Sequence, residues 1–190
     1  DYGVPQKRYR VIFVAFRKDL NIQYEFPKPT HASDDLSLTL GHVLDIPPHV
    51  PNQDDVWKLS PQAKRLVPYI NEGGSWLDIP YSVLPERMKR IRDDMKRYRS
   101  PVFYRRYSKN EISGTITAAA TPEKCGILHP TKNRRYSVRE IARIQSFPND
   151  FIFIGQSLPK IYKMIGNAVP PRLAKVIANS ISKTLQQHHI

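Results

Sequence analysis

The sequence predicts an α+β chain with long irregular connections, and three observations predict it. Residues 11–16, Val-Ile-Phe-Val-Ala-Phe, are a continuous apolar run of strand length, the pattern of a strand covered on both faces. Ser137 with Glu140 three residues later is a capping box, which opens a helix. Seventeen prolines fall mostly in the first two thirds of the chain, where each removes a backbone donor and fixes φ, so regular elements there must be short.

A length of 190 residues suits one domain or slightly more. Thirty Lys and Arg against 17 Asp and Glu leave a formal charge of +13. Such an excess points to a polyanionic partner, with nucleic acid ahead of an anionic membrane surface. No apolar run approaches the ~20 residues that span a bilayer. The single cysteine, Cys125, excludes an internal disulfide and fits a reducing compartment. Its neighbours supply no histidine or helix start that would activate a thiol. No Cys/His cluster has metal-ligand spacing, and no internal repeat is present.

In chain order, Gln6, Arg8 and Arg10 alternate ahead of the apolar run. In extended backbone they point the same way. They are either a solvated lead-in or a set of donors for a polar or anionic ligand. Residues 31–57 hold no Lys or Arg but five acids, Asp34, Asp35, Asp45, Asp54 and Asp55. Their spacing matches no metal loop, so they read as the solvated face of a linker, with one helical turn over 38–44. Ser60-Pro61 starts a helix running to about Ile70, with Ala63, Leu66, Val67 and Ile70 inward. Gly73-Gly74 makes a sharp turn, and Trp76 calls for a buried seat.

Over residues 86–109, ten basic side chains face three acidic ones, with Tyr98, Phe103, Tyr104 and Tyr107 interleaved. This is either an exposed basic helix over 85–98 or a face that tracks phosphates. Residues 112–117 read as a short strand beside Gly114. The capped helix runs from 137 to 147, with Val138, Ile141 and Ala142 on one side, Arg139 and Arg143 on another, and Pro148 as its stop. Gly166 is expected to end the next helix with positive φ, and Pro170-Pro171 to open the last one. The turn between them is a plain structural joint or, through free N–H groups and the Asn167 amide, an anion site.

Two stretches carry a specific resemblance. Arg135-x-Ser-Val-Arg-Glu-x-Ala-Arg-x-Gln-x-Phe-Pro148 followed by Gly166-Asn-Ala-Val-Pro170 resembles the last two sequence blocks of DNA (cytosine-5)-methyltransferases. Tyr2-Gly-Val-Pro-Gln-x-Arg-x-Arg10 before an apolar strand resembles the block those enzymes place just ahead of their recognition domain. Gly73-Gly-x-Trp-x-x-x-Pro80 is similar to an element of that domain.

The resemblance implies a small target-recognition domain, plus a strand and a C-terminal helix belonging to an incomplete Rossmann-like methyltransferase domain that uses S-adenosylmethionine. It divides the chain into residues 1–30, 31–158 and 159–190, the middle piece being the DNA-binding one. It also implies that Arg10 bonds O2 of a cytosine flipped out of duplex DNA, with Gln6 and Arg8 supporting the pocket and nearby phosphate. Arg105, Arg106 and Lys124 become candidate base readers, with Thr115 and Thr117 nearer the orphaned base or backbone. Arginine's fork suits guanine, so a G·C-containing site is expected. Asn167 and the backbone at Ala168 would touch the amino-acid end of S-adenosylmethionine, leaving Asn167 exposed at an open cleft. The helix after Ser137 is expected to organise the small domain rather than touch substrate.

The family's nucleophilic cysteine, in a Pro-Cys dipeptide, and its glutamate, in a Glu-Asn-Val stretch, have no counterpart in these 190 residues. The expectation is therefore a recognition and closing half, inactive alone. A fragment, a cleaved product or a subunit of a split enzyme would each account for it, with an N-terminal catalytic half as partner. The setting expected is a bacterial cytoplasm and restriction-modification. The alternative is a non-catalytic DNA-binding module derived from such an enzyme. A basic RNA- or membrane-binding protein fits the two motif blocks poorly.

Overall fold

The computed structural model describes residues 1–32, 35–95 and 102–188. Asp34 of the acidic stretch and Lys96, Arg97, Tyr98 and Arg99 of the basic stretch lie outside the described residues. The α-helices among the described residues are α1 (Leu40–Val43), α2 (Pro61–Leu66), α3 (Glu86–Asp93), α4 (Val138–Ile144), α5 (Leu158–Asn167) and α6 (Pro171–Gln187). Short 3-10 turns at Leu36–Leu38, Val67–Tyr69 and Trp76–Asp78 sit between them.

The β part differs from expectation. Among the described residues pairing is limited to isolated bridges, Gln6 with Ser113, Arg106 with Leu128 and Leu128 with Arg135. Residues 11–16 run extended but unpaired. Val11 and Phe13 are 80% and 90% exposed, while Ile12, Val14 and Phe16 are half-buried. The expected strand with both faces covered is not formed, because no described strand lies alongside to bond its backbone or cover it. Residues 112–117 likewise form no ladder beyond the bridge at Ser113.

Two apolar cores organise the rest. The first gathers Leu40 and Val43 of α1, Ile116 and Ile127, Val138, Ile141 and Ile144 of α4, and Ile161, Tyr162 and Ile165 of α5. The division expected between residues 158 and 159 runs through this cluster. The second gathers Ala63, Leu66, Val67 and Ile70 with Trp76, Met88, Phe103 and Leu128. All four residues assigned to the inner side of the helix expected to run to about Ile70 are in it, although α2 stops at Leu66 and Val67–Tyr69 continue as a 3-10 turn. Ser60 Oγ accepts from the Ala63 N–H, so the predicted cap is present.

The start of α4 is as predicted: Ser137 Oγ accepts from the Glu140 N–H, and the Glu140 carboxylate accepts from the Ser137 N–H. Its end is not set by Pro148. Ser146 adopts φ 63°, the Ser146 N–H donates to the Arg143 carbonyl and the Phe147 N–H to the Ala142 carbonyl. These two bonds close the helix in a left-handed cap. Helix α6 buries no residue fully. Leu173, Val176, Ile177, Ile181 and Leu185 form a half-buried stripe at helical spacing. Arg172 of this helix donates to the Gly3 carbonyl at 2.8 Å, which ties it to the N-terminal segment. No helix is long and apolar enough to cross a membrane among the described residues.

Candidate functional site

A chain of buried amides joins the two motif blocks. The Ile116 N–H donates to Gln6 Oε1 at 3.0 Å, Gln6 Nε2 donates to Gln145 Oε1 at 3.0 Å, and Gln145 Nε2 donates to the Ile165 carbonyl at 2.8 Å. Both glutamines are buried. Inside a protein an amide that leaves a donor or acceptor unpaired costs about 1–3 kcal/mol, so these bonds fix a register as well as a contact. Gln6 is thus a positioning residue, tying the N-terminal segment to the end of α4, to α5 and to the loop at residue 116. Gln145 lies inside the quoted motif but its role needed tertiary structure to see.

Arg8 adds a second clasp over the same seam. Its Nη1 donates to the Ile116 carbonyl at 3.0 Å and to the Gly166 carbonyl at 2.9 Å. Burial holds its pKa below the usual arginine value, and the charge of Arg10 adds to that. Arg10 is exposed and, among the described residues, its side chain bonds only the neighbouring Tyr9 carbonyl. The three alternating donors therefore part company: Gln6 is inside, Arg8 spans the seam and Arg10 projects outward.

Gly166 is needed for a different reason from the one expected. It is not among the positive-φ residues. A Cβ there would lie 2.6 Å from the backbone carbon and oxygen of Thr117. Glycine lets α5 touch the backbone of the 116–118 loop, and the helix continues one residue further, to Asn167. Asn167 is exposed, as expected. The turn after it is not an array of free N–H groups. The Ala168 N–H donates to the Met164 and Ile165 carbonyls, the next positions but one are prolines, and the Arg172 N–H donates to Ser146 Oγ.

The two paired arginines of the expected base-reading set are engaged inside the protein. Arg106 is 2% exposed. Its guanidinium donates to the carbonyls of His129, Lys132 and Val67 and to Asn133 Oδ1. A base-reading role for Arg106 is corrected by that burial, since no free fork remains to meet a base edge. Arg105 donates to the carbonyls of Gly73 and Gly74, pairs with Glu111 at 2.6 Å and stacks on Tyr107. It braces the glycine turn rather than reaching outward. The Thr115 hydroxyl donates to the Lys7 carbonyl at 2.8 Å. The Thr117 hydroxyl is buried against the 125 region, and Lys124 is exposed. Exposed cations on α3 are Arg87 and Arg90, whereas Arg92 turns inward to the Trp76 and Ile79 carbonyls.

Arg139 is also inside, at 0% exposure. It donates to the carbonyls of Pro51, Pro148 and Phe151, which draws three connections onto α4. Glu140 takes a bidentate pair from Arg134 at 2.6 and 2.8 Å. Burial pushes the Glu140 carboxyl up, but the Arg134 bonds and charge and the Ser137 N–H hold it below the usual range. Cys125 is 1% exposed, and burial pushes its thiol up, away from the reactive thiolate. No group of three or more potential metal ligands is assembled among the described residues.

Comparison with known proteins agrees with these blocks. Residues 1–183 match the family described as C-5 cytosine-specific DNA methylase. The chain is 35% identical over 186 residues to type II methyltransferase M.NgoFVII of Neisseria gonorrhoeae, covering 95% of this chain and 47% of that protein. It is 37% identical over 216 residues to type II methyltransferase M.NgoPII of Neisseria gonorrhoeae, covering 98% of this chain and 54% of that protein. With type II methyltransferase M.BbvI of Brevibacillus brevis it shares 33% identity over 188 residues, 97% of this chain and 46% of that protein. The chain thus spans about half the length of the curated relatives it matches. Two motif blocks, one amide relay that locks them together and a match along nearly the whole chain lead to one conclusion: this chain belongs to the C-5 cytosine-specific DNA methylase family.

Proposed function

We propose that this chain is the DNA-recognition and site-closing half of a DNA (cytosine-5)-methyltransferase, acting with an N-terminal half that carries the nucleophilic cysteine and the glutamate. The observation that carries this reading is the Arg8 clasp. Arg8 bonds the Gly166 carbonyl, and Arg10 follows Arg8 by two residues while Asn167 follows Gly166 by one, which supports a shared site between the two segments. One side of that site suits a flipped cytosine and the other a cofactor, as methyl transfer to a base requires.

Chemistry at C5 needs the cytosine out of the stack and held by its polar edge. Arg10 is exposed, charged and, among the described residues, tied only to its neighbour's carbonyl, so its remaining donors suit the base's O2. Gln6 and Arg8 act behind it by fixing the segment it stands on. S-adenosylmethionine supplies the methyl group when bound. The Asn167 amide fits a contact with its polar amino-acid end; at Ala168 only the carbonyl is available, because its N–H closes α5. Duplex DNA would meet the exposed cations of the second core and its loops, including Arg87, Arg90, Lys109 and Lys124. Base reading falls to the exposed loop residues rather than to Arg106.

Co-expression with an N-terminal half bearing the Pro-Cys and Glu-Asn-Val stretches tests this. Methyl incorporation into DNA should require both halves, and Arg10→Ala should lower it by about 10- to 100-fold, the worth of a charged hydrogen bond. DNA affinity should fall steeply with salt. Intact DNA binding with no methylation at any ratio would favour a non-catalytic DNA-binding module instead.

A further inference from the structure

A second polar cleft lies away from the Arg10–Asn167 seam. It is a cavity of about 450 Å³ where the N-terminal segment, the turn at Leu36–Leu38, the end of α4 and the start of α6 converge. Its polar lining is Ser37, Arg143, Ser146, Asn149 and Arg172, and Pro5 closes one wall. Among the described residues no carboxylate lines it. Asp45, whose charge reaches Arg143, is not among the lining residues.

Each arginine is anchored by one nitrogen. Arg143 Nη1 donates to the Asp45 carbonyl at 2.5 Å and Arg172 Nη1 to the Gly3 carbonyl at 2.8 Å. A guanidinium has five N–H donors, so each keeps part of its fork for the cleft. The Ser146 hydroxyl accepts from the Arg172 N–H at 3.1 Å, and its own proton is left to donate. Burial lowers the Arg143 pKa, the charge of Asp45 opposes this, and the charge of Arg172, which lines the same cleft, adds to the lowering. Helix α6 also begins here with no acidic residue in its first turn, which leaves the positive end of its dipole uncompensated.

We propose that this cleft binds a phosphate oxyanion between Arg143 and Arg172, with Ser146 as a third donor. Two arginine forks and a hydroxyl around a cleft with no carboxylate among its described lining match the charge and donor chemistry of phosphate. The same chemistry is offered by a DNA backbone phosphate and by free phosphate. A backbone source would extend the DNA contact of the proposed function to the junction of α4 and α6, and a free source stands without it.

The test uses the chain with inorganic phosphate followed by 31P NMR and calorimetry, and separately with duplex DNA over a salt series. Arg172→Gln changes an exposed side chain, and Ser146→Ala removes only the hydroxyl; circular dichroism confirms that each is folded. If the site takes free phosphate, saturable binding is seen and both variants weaken it at least tenfold. If the DNA backbone is the source, Arg172→Gln lowers the slope of log affinity against log salt by about one, the loss of one phosphate contact. No saturable phosphate binding together with an unchanged DNA salt slope in both folded variants would overturn the proposal. Loss of methylation in the co-expressed enzyme with phosphate binding intact would instead count against the proposed function alone.

Discussion

Gln6 and Gln145, separated by 139 positions, meet through one buried hydrogen bond in which Gln6 Nε2 donates to Gln145 Oε1 at 3.0 Å. Each then uses its other amide atom on a backbone group of a further segment, Gln6 on Ile116 and Gln145 on Ile165. Four pieces of chain are thereby set in register by two side chains. The register matters to the proposed function because Arg10 and Asn167 lie two residues and one residue from the Arg8–Gly166 contact.

Gln145→Leu keeps the volume but leaves Gln6 Nε2 without its partner and removes one of two donors from the Ile165 carbonyl, which keeps the Ala168 N–H. A buried orphan costs about 1–3 kcal/mol, so a loss of that size is expected in urea unfolding. Gln6→Leu should cost a similar amount. The double variant should lose less than the sum of the singles, because the shared bond is counted once. Additive losses would mean the two amides act independently.

Gly166→Ala sets two effects against each other. Alanine favours a helix over glycine by about 1 kcal/mol, but its Cβ would meet Thr117 backbone atoms at 2.6 Å. Backbone cannot swing aside as a flexible side chain can, and overpacking costs about 1–3 kcal/mol. A net destabilisation is expected, and with it a loss of the Arg8–Gly166 contact. A stabilised variant would show that α5 can move off the loop freely.

Arg106 and Arg10 should separate stability from function. Arg106→Ala removes a donor from the Val67, His129 and Lys132 carbonyls in a buried place, and although Val67 and Lys132 keep the Ile70 and Arg134 N–H groups, a loss of about 3 kcal/mol is expected from the His129 carbonyl left without that donor together with the emptied space. Arg10→Ala touches only an exposed contact with Tyr9 and should stay within about 0.5 kcal/mol of the parent. Thermal unfolding of the two variants side by side checks this. Equal losses would contradict the buried and exposed placements.

His129 should make stability depend on pH. Its Nδ1 accepts from the Thr131 and Lys132 N–H groups, both at 3.1 Å, so that nitrogen must carry a lone pair. Nε2 faces Glu140 at 3.5 Å. Burial pushes the His129 pKa down to about 4 despite that carboxylate. Because the unfolded histidine, with a pKa near 6.5, binds a proton first, stability is full above about pH 6.5 and falls as pH drops toward 4, by up to about 3 kcal/mol. The depressed Glu140 carboxyl adds a further loss in more acidic solution. His129→Gln should flatten the slope between pH 6.5 and 4 in urea titrations, and an unchanged slope would assign it to other groups.

Much of the local structure was legible from the residues. The Ser137–Glu140 box, the Ser60 cap, the inward face of α2 and the double proline before α6 all form as their spacing dictates. Each rests on groups no more than a few residues apart in sequence. The sheet was not legible in the same way: residues 11–16 have the composition of a central strand, but a strand needs neighbours, and among the described residues none pairs with it.

The arginines divide most clearly between sequence and tertiary structure. Their number, read from the sequence alone, determined the charge, and the motif blocks pointed to the family. The fate of each one was decided only in the folded chain. Arg106 and Arg139 went inside and Arg10 stayed out because carbonyls distant in sequence converge on the first two and none from a distant segment reaches the third. A guanidinium is buried only where such acceptors replace its water, and those acceptors come from segments up to 88 positions away.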